Sequence, residues 1–187
     1  MRVIAGTVKG RRLKSPLGSR LRPTSDRLRE TLFNILGRRV EGARVLDACA
    51  GTGALGIEAL SRGATAVVFV DQDRDAVALI IENLALCRVE GQSTVVRDTL
   101  PLVVGRHELT GSFDIILVDP PYDDPKIGDI LSSLTGRLLP GGILVLERSK
   151  RITAHSSSGL RHVRRVGVGD SVLDFYERSE GPSEAAP

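Results

Sequence analysis

The 187-residue chain has two cysteines, Cys49 and Cys87, four Phe, two Tyr and no Trp. Two lone thiols in apolar surroundings exclude a disulfide framework and predict reduced cysteines. With three His remote from them in sequence, they are too few for a structural zinc site, and no metal is expected. No apolar run approaches the roughly 20 residues that cross a bilayer. No apolar segment follows Arg2, so no secretory signal is read. These absences predict a cytoplasmic protein with no membrane partner. What remains fits one domain of about 100–200 residues with a short extension, and 41% hydrophobic content suffices for a core.

The net charge of +3 conceals a split. Residues 1–39 hold 11 Lys/Arg against 2 Asp/Glu, a net of +9, and the remainder holds 15 against 21, a net of −6. A basic arm on a mildly acidic body predicts a polyanionic partner gripped through Arg2, Lys9, Arg11, Arg12, Lys14, Arg20 and Arg22. A solvated surface is the competing reading of the same charges.

Residues 2–15 read as two short strands with Gly6 and Gly10 near the bends, a basic β-hairpin. Pro16, Gly18 and Pro23 mark an irregular stretch. A helix follows at 25–36, capped by Thr24 or Ser25 and stopped by Gly37. From residue 43 strands and helices alternate: strands at 43–48, 66–70, 93–97, 113–118 and 142–147, helices at 53–62, 74–87 and about 127–138. The continuous apolar runs VLDA, AVVFV, DIILV and GILVL suit strands buried on both faces. The chain then departs from alternation, with strands at 162–168 and 171–178 separated by Gly169-Asp170. The expected fold is α/β: a mostly parallel, seven-stranded, Rossmann-like sheet ending in an antiparallel hairpin. Its expected divisions are a basic extension at 1–22, the main domain at 23–178 and a disordered tail at 179–187.

Gly51, Gly53 and Gly56 form GxGxxG between a strand and a helix, with Asp71 twenty residues on at the end of the next strand. That architecture serves nicotinamide enzymes and methyltransferases alike. Two acids favour S-adenosylmethionine. Asp47, just before the glycines, suits a cationic methionine end and would be unwelcome beside a pyrophosphate. Asp98, after the third strand, can accept from an adenine amine. With Ala50, Gly51, Gly53, Asp71 and Gln72 these make the candidate cofactor set. Each acid alone reads equally well as a strand-end cap.

The fourth strand ends in Asp119-Pro120-Pro121-Tyr122. Two prolines cannot continue a central strand and fix a rigid turn at its carboxyl end, where open α/β sheets bind ligands. A strand terminator is the plain reading of Pro-Pro. Asp and Tyr beside it suggest a catalytic set instead. An exocyclic amine on a nucleic-acid base is a poor nucleophile, its lone pair being delocalised into the ring. Asp119 and the Pro120 carbonyl can accept from its N–H groups and hold the nitrogen tetrahedral, while Tyr122 stacks on an extruded base. No covalent intermediate is required. Cytosine C5 methylation needs a nucleophilic cysteine in a catalytic turn, which neither Cys49 nor Cys87 supplies.

Together these segments resemble the RsmD-type 16S rRNA guanine-N2 methyltransferases of bacteria, over roughly residues 2–148. RVIAGTVKGRRL, LRPTSDRLRETLFNIL, VLDACAGTGALGIEALSRGA, VFVDQD and ILVDPPY look like that family in its order. The resemblance implies a class I S-adenosylmethionine-dependent methyltransferase acting on N2 of guanine 966 (rRNA numbering) within an assembling 30S subunit. The chain is expected to be a monomer. It also implies that Arg27, Glu30, Thr31 and Asn34 lie near the methionine end of the cofactor, and that the N-terminal hairpin grips RNA. Cys49 departs from the family, which often has an aromatic residue there. The rivals are a DNA amino-methyltransferase, disfavoured by the lack of room for a target-recognition domain, and a non-catalytic nucleic-acid-binding protein.

Overall fold

The computed structural model describes residues 1–15, 25–105, 107–121, 125–153 and 156–179. Seven strands form one sheet in the order β3-β2-β1-β4-β5-β7-β6. They are β1 Arg44–Ala48, β2 Ala66–Asp71, β3 Ser93–Arg97, β4 Phe113–Val118, β5 Leu138–Ser149, β6 Leu160–Val168 and β7 Ser171–Arg178. Strands β1 to β5 pair in parallel, and β7 runs antiparallel to both β5 and β6. The expected sheet and its terminal hairpin are therefore both present.

Helices α1 Asp26–Leu36, α2 Ala54–Ser61 and α3 Arg74–Cys87 cover one face; α4 Ile127–Thr135 and short 3-10 turns cover the other. Helix α1 follows its sequence signals. Ser25 Oγ accepts from the Leu28 amide, and Leu28, Leu32, Phe33 and Leu36 form the buried stripe. Gly37 at φ 52 ends the helix, its N–H returning to the Phe33 carbonyl. Asp73 caps α3 by accepting from Asp75 and Ala76.

Two boundaries differ from expectation by more than two residues. Helix α4 stops at Thr135 rather than near 138, and β5 begins at Leu138 rather than 142. The cause is pairing: the Phe113 amide donates to the Arg137 carbonyl and Leu138 lies opposite Phe113, so the sheet captures residues that would have continued the helix. A register shift between Phe113 and Ile115 absorbs the Pro140-Gly141-Gly142 turn.

The N-terminal arm turns back on itself, but a single antiparallel bridge, Arg2 to Arg12, replaces the two strands expected. Its backbone is spent on the body instead. Glu58, buried in α2, accepts from the Ile4 and Ala5 amides at 2.7 and 3.0 Å. Ser61 takes the Thr7 amide on its carbonyl and the Val8 amide on its hydroxyl, while that hydroxyl donates to Ala5. Val3 and Leu13 are buried against the helices, worth about 1.5–3 kcal/mol each. Gly6, at φ +85, rests on Ser61 so closely that a Cβ there would sit 1.7 Å from the Ser61 carbonyl oxygen. Gly6→Ala is expected to lift the arm from α2. The check is hydrogen exchange at Thr7 and Val8, whose protection should fall by at least tenfold, the equivalent of about 1.4 kcal/mol; undiminished protection would exclude this docking.

Candidate active site at the carboxyl edge of the sheet

The parallel strands end together along one edge. Ala48 pairs with Val70 on one side and Val118 on the other, so the segments after β1, β2 and β4 meet there. The first is the glycine loop. Cys49, Gly51 and Gly53 all have positive φ, 62, 56 and 76°. This left-handed path lets the chain leave β1 and enter α2 within a few residues, and only glycine adopts it without strain. At Gly51 a Cβ would meet nothing within 4 Å, so the loop is open on that side. Gly56 lets α2 pack closely on the sheet: a Cβ would fall 2.2 Å from the Phe69 ring.

Asp47 is 1% exposed. Its Oδ2 accepts from the Gly56 amide at 2.8 Å, and its Oδ1 is buried with no hydrogen-bond partner. Burial pushes its carboxyl up to about 8, against the Gly56 bond, and nearby Asp71 adds to the rise. A buried carboxylate oxygen lacking a donor fits a site completed by a cationic ligand group.

Asp71 closes the loop from β2. One oxygen accepts from the Gly51 amide at 2.8 Å and the other from Asp73 at 2.9 Å. A carboxylate accepts about four bonds, so each oxygen keeps capacity for a hydroxyl. Gln72 is exposed beside it and accepts from the Thr99 hydroxyl at 2.8 Å. Asp98 is half-buried, its amide on the Asp71 carbonyl and its Oδ1 taking the Thr99 amide. Ala50 is buried, its amide on the Val70 carbonyl. The structure thus brings Asp47, Ala50, Gly51, Gly53, Asp71, Gln72 and Asp98 to one edge.

Asp119 follows β4 at that edge, half-exposed, with its amide donating to the Ala48 carbonyl at 3.3 Å. Pro120 is buried and Pro121 exposed; Tyr122 lies outside the described residues. Helix α1 reaches the same region, because Leu32 shares a small cavity with Leu55, Val118 and Glu147. Arg27, Glu30, Thr31 and Asn34 lie outside its buried stripe, and Thr31 Oγ1 donates to the Arg27 carbonyl.

Of the arm's cations, Lys9, Arg11 and Arg12 are exposed. Arg2 stands 3.7 Å from Asp26, and Lys14 pairs with Glu82 at 2.9 Å. Arg20 and Arg22 lie outside the described residues. Three residues that tie the arm to the site escaped sequence reasoning. Arg29, fully buried, donates to the Arg2 carbonyl at 2.6 Å and to Asp26 at 2.8 Å. Glu58 is the second. Asn83 is the third: its Oδ1 accepts from the Lys14 amide, and its Nδ2 donates to the carbonyls of Lys14 and of Thr52 in the glycine loop. The available signal was a polar residue inside an apolar stripe: Asn83 falls in line with Ala76, Ile80, Leu84 and Cys87.

Among the described residues no His/Cys/Asp/Glu group could hold a metal, and both cysteines are free thiols. No helix among them is long and apolar enough to cross a membrane.

A 3-2-1-4-5-7-6 sheet with an acid-flanked glycine loop after its first strand defines the class I S-adenosylmethionine-dependent methyltransferase fold. Over residues 1–177 the chain matches the family described as "Conserved hypothetical protein 95", and it belongs to that family. It is 38% identical over 193 aligned positions to ribosomal RNA small subunit methyltransferase D of Escherichia coli K12, covering 99% of this chain and 94% of the relative. It is 37% identical to a Bacillus subtilis protein provisionally named rRNA methyltransferase YlbH, covering 95% of this chain and 99% of that one. A solved Escherichia coli structure, provisionally named methyltransferase yhhF, superposes with a TM-score of 0.83 at 31% identity, covering 95% and 97% of the two chains.

Proposed function

We propose that the chain transfers a methyl group from S-adenosylmethionine to the exocyclic N2 of a guanine in 16S rRNA, the guanine at position 966, during assembly of the small subunit. The observation that carries this reading is the convergence of Asp47, Asp71 and Asp119 on the ends of three adjacent parallel strands, in a chain so similar to a small-subunit rRNA methyltransferase.

S-adenosylmethionine supplies an electrophilic methyl group on a positively charged sulfur. In this reading Asp47 holds the methionine ammonium, Asp71 and Gln72 the ribose hydroxyls, and Asp98 the adenine amine. Arg27, Thr31 and Asn34 flank the methionine end, and Ala50, Gly51 and Gly53 shape the loop. Asp119 and the Pro120 carbonyl accept the two N–H bonds of the target amine, which leaves its lone pair free to attack the methyl as its bond to sulfur breaks, and the Asp119 carboxylate is placed to take the proton that the methylated nitrogen then sheds. Pro121 stiffens the turn, and Tyr122 stacks on the base once it has left its helix. Rate then comes from positioning and electrostatics. The basic arm, docked on α1, α2 and α3, contacts the RNA backbone. The chain acts in the cytoplasm as a monomer.

The test is transfer of labelled methyl to undermodified 30S particles, followed by nucleoside analysis. N2-methylguanine is expected. Label entering duplex DNA in its place, as N6-methyladenine or N4-methylcytosine, would overturn the rRNA reading.

A further inference from the structure

Averaged over its length, the chain beyond residue 39 is acidic. Yet residues 149–168 contain five Lys/Arg, two His and no Asp or Glu. Most of these cations fall on or beside β6, the last strand of the sheet, whose outer edge has no partner strand among the described residues. Arg161, His162, Arg164 and Arg165 are exposed on it, and Lys150 and Arg151 are exposed just past β5. Lys150 reaches β6: its Cε lies 3.5 Å from where a Cβ on Gly167 would be. Ser171 pairs with both Ser149 and Val168, and Leu146 pairs with Val118. The carboxyl end of β6 therefore lies on the sheet edge that carries Asp119.

Cations on an edge strand serve a simpler purpose, discouraging edge-to-edge pairing. That purpose is met by mobile charges, whereas Arg161, His162 and Arg165 are held. Asp174 on β7 is fully buried, and its Oδ1 takes Arg165 Nε and faces His162 Nε2, each at 2.8 Å. Its other oxygen takes Arg148 Nε. Burial pushes the Asp174 carboxyl up, but the bonds from Arg165, Arg148 and His162 overcome this and hold it below the ordinary carboxylate range. One anion thus roots two guanidinium groups and an imidazole, and positive charge is left over. Glu177 is shared in the same way by Arg161 at 2.7 Å and Arg39 at 3.8 Å. A bulge between His162 and Arg164 leaves Arg164 opposite Phe175 and Arg165 opposite Asp174, so the two arginines project from opposite faces of the strand. Fixed, unbalanced guanidinium groups along an open edge match the spaced charges of a phosphate backbone.

We propose that the outer edge of β6, with Lys150 and Arg151, is a second RNA-backbone contact, separate from the N-terminal arm. It rests on the RNA reading above. The arm docks over α1, α2 and α3, and α1 also touches β6. The two cationic surfaces therefore flank one helix and engage one folded RNA across the active-site edge.

The test uses the full chain carrying Lys150→Gln, Arg161→Gln and Arg164→Gln together, with a 16S rRNA fragment as probe in fluorescence anisotropy. The expected result is affinity about tenfold weaker near 0.1 M salt, and a log K against log[salt] slope smaller by about 2, three contacts at roughly 0.7 each. S-adenosylmethionine affinity should not change. Arg164→Gln alone is the control for misfolding, and its slope should fall by about 0.7. Arg11→Gln/Arg12→Gln is the arm comparator, expected to weaken RNA binding independently. If the arm variant loses affinity while the triple variant matches the parent, the β6 proposal fails and the RNA reading stands. If the parent chain binds no RNA, both fail. If the triple variant loses only self-association, the edge is a dimer contact and the proposal is overturned.

Discussion

Asp119→Ala is expected to lower methyl transfer about 10³-fold, the scale on which one preorganised electrostatic group acts in a water-excluded site. Cofactor affinity and melting temperature should stay near those of the parent. The separation follows from the structure. The turn is pinned by backbone, the Asp119 amide on the Ala48 carbonyl, and by the Pro120-Pro121 pair, none of which the substitution removes. What it removes is a half-exposed carboxylate at the end of β4. An amine whose lone pair is delocalised must be drawn toward a tetrahedral geometry before it can attack, and one of its two acceptors would be gone. Asp119→Asn keeps an acceptor oxygen and loses the charge, so it should fall between, about 10–10² below the parent, since charged hydrogen bonds are roughly twice as strong as neutral ones. The measurement is single-turnover transfer with RNA and cofactor saturating, which isolates chemistry from binding. Transfer at the parent rate by Asp119→Ala would remove Asp119 from the mechanism.

How much of this was legible beforehand depended on which physical signal each residue carries. Strand ends and the glycine loop were readable because hydrophobic continuity and glycine's freedom are local properties. The bounds of α3 came out directly, and Ser25 is one of the two caps read for α1, since caps and periodicity act within a few residues. The α4–β5 junction did not, because Leu138 joins the sheet only through its pairing with Phe113, a contact 25 residues away. The arm is instructive in a different way. Its glycines and alternating apolar residues read as strands, but Glu58 and Ser61 compete for its amides and win. Arg29, Glu58 and Asn83 were invisible as anchors of the arm because charge and polarity on a helix suggest a solvated face, and only burial shows otherwise. The basic β6 edge was hidden by averaging: a net of −6 over the body contained a twenty-residue stretch with no acid at all.

Asp47 was legible as an acid just before the glycines, but its protonation state was not, and that leads to the second large effect. Asp47→Asn is expected to make the cofactor-free protein more stable at pH 8.5 and to weaken S-adenosylmethionine binding about 10²-fold. Its buried carboxyl is pushed up to about 8 from the ordinary carboxylate value of 3.8. Between those values the folded chain holds a proton that the unfolded chain has released. Stability from this group is therefore complete below about pH 4 and is lost as pH rises toward 8. The asparagine does not ionise, so its stability should be flat across this window and exceed the parent's above it by a few kcal/mol, a melting-point gain of roughly 5–10 °C. Binding runs the other way. The orphaned Oδ1 meets a cationic group only as a carboxylate, so cofactor uptake by the parent should release close to one proton near pH 6–7. That release is measurable by calorimetry in buffers of different ionisation enthalpy, and Asp47→Asn should abolish it. Proton release equal in parent and variant would show that Asp47 is not the group that meets the charged end of the cofactor.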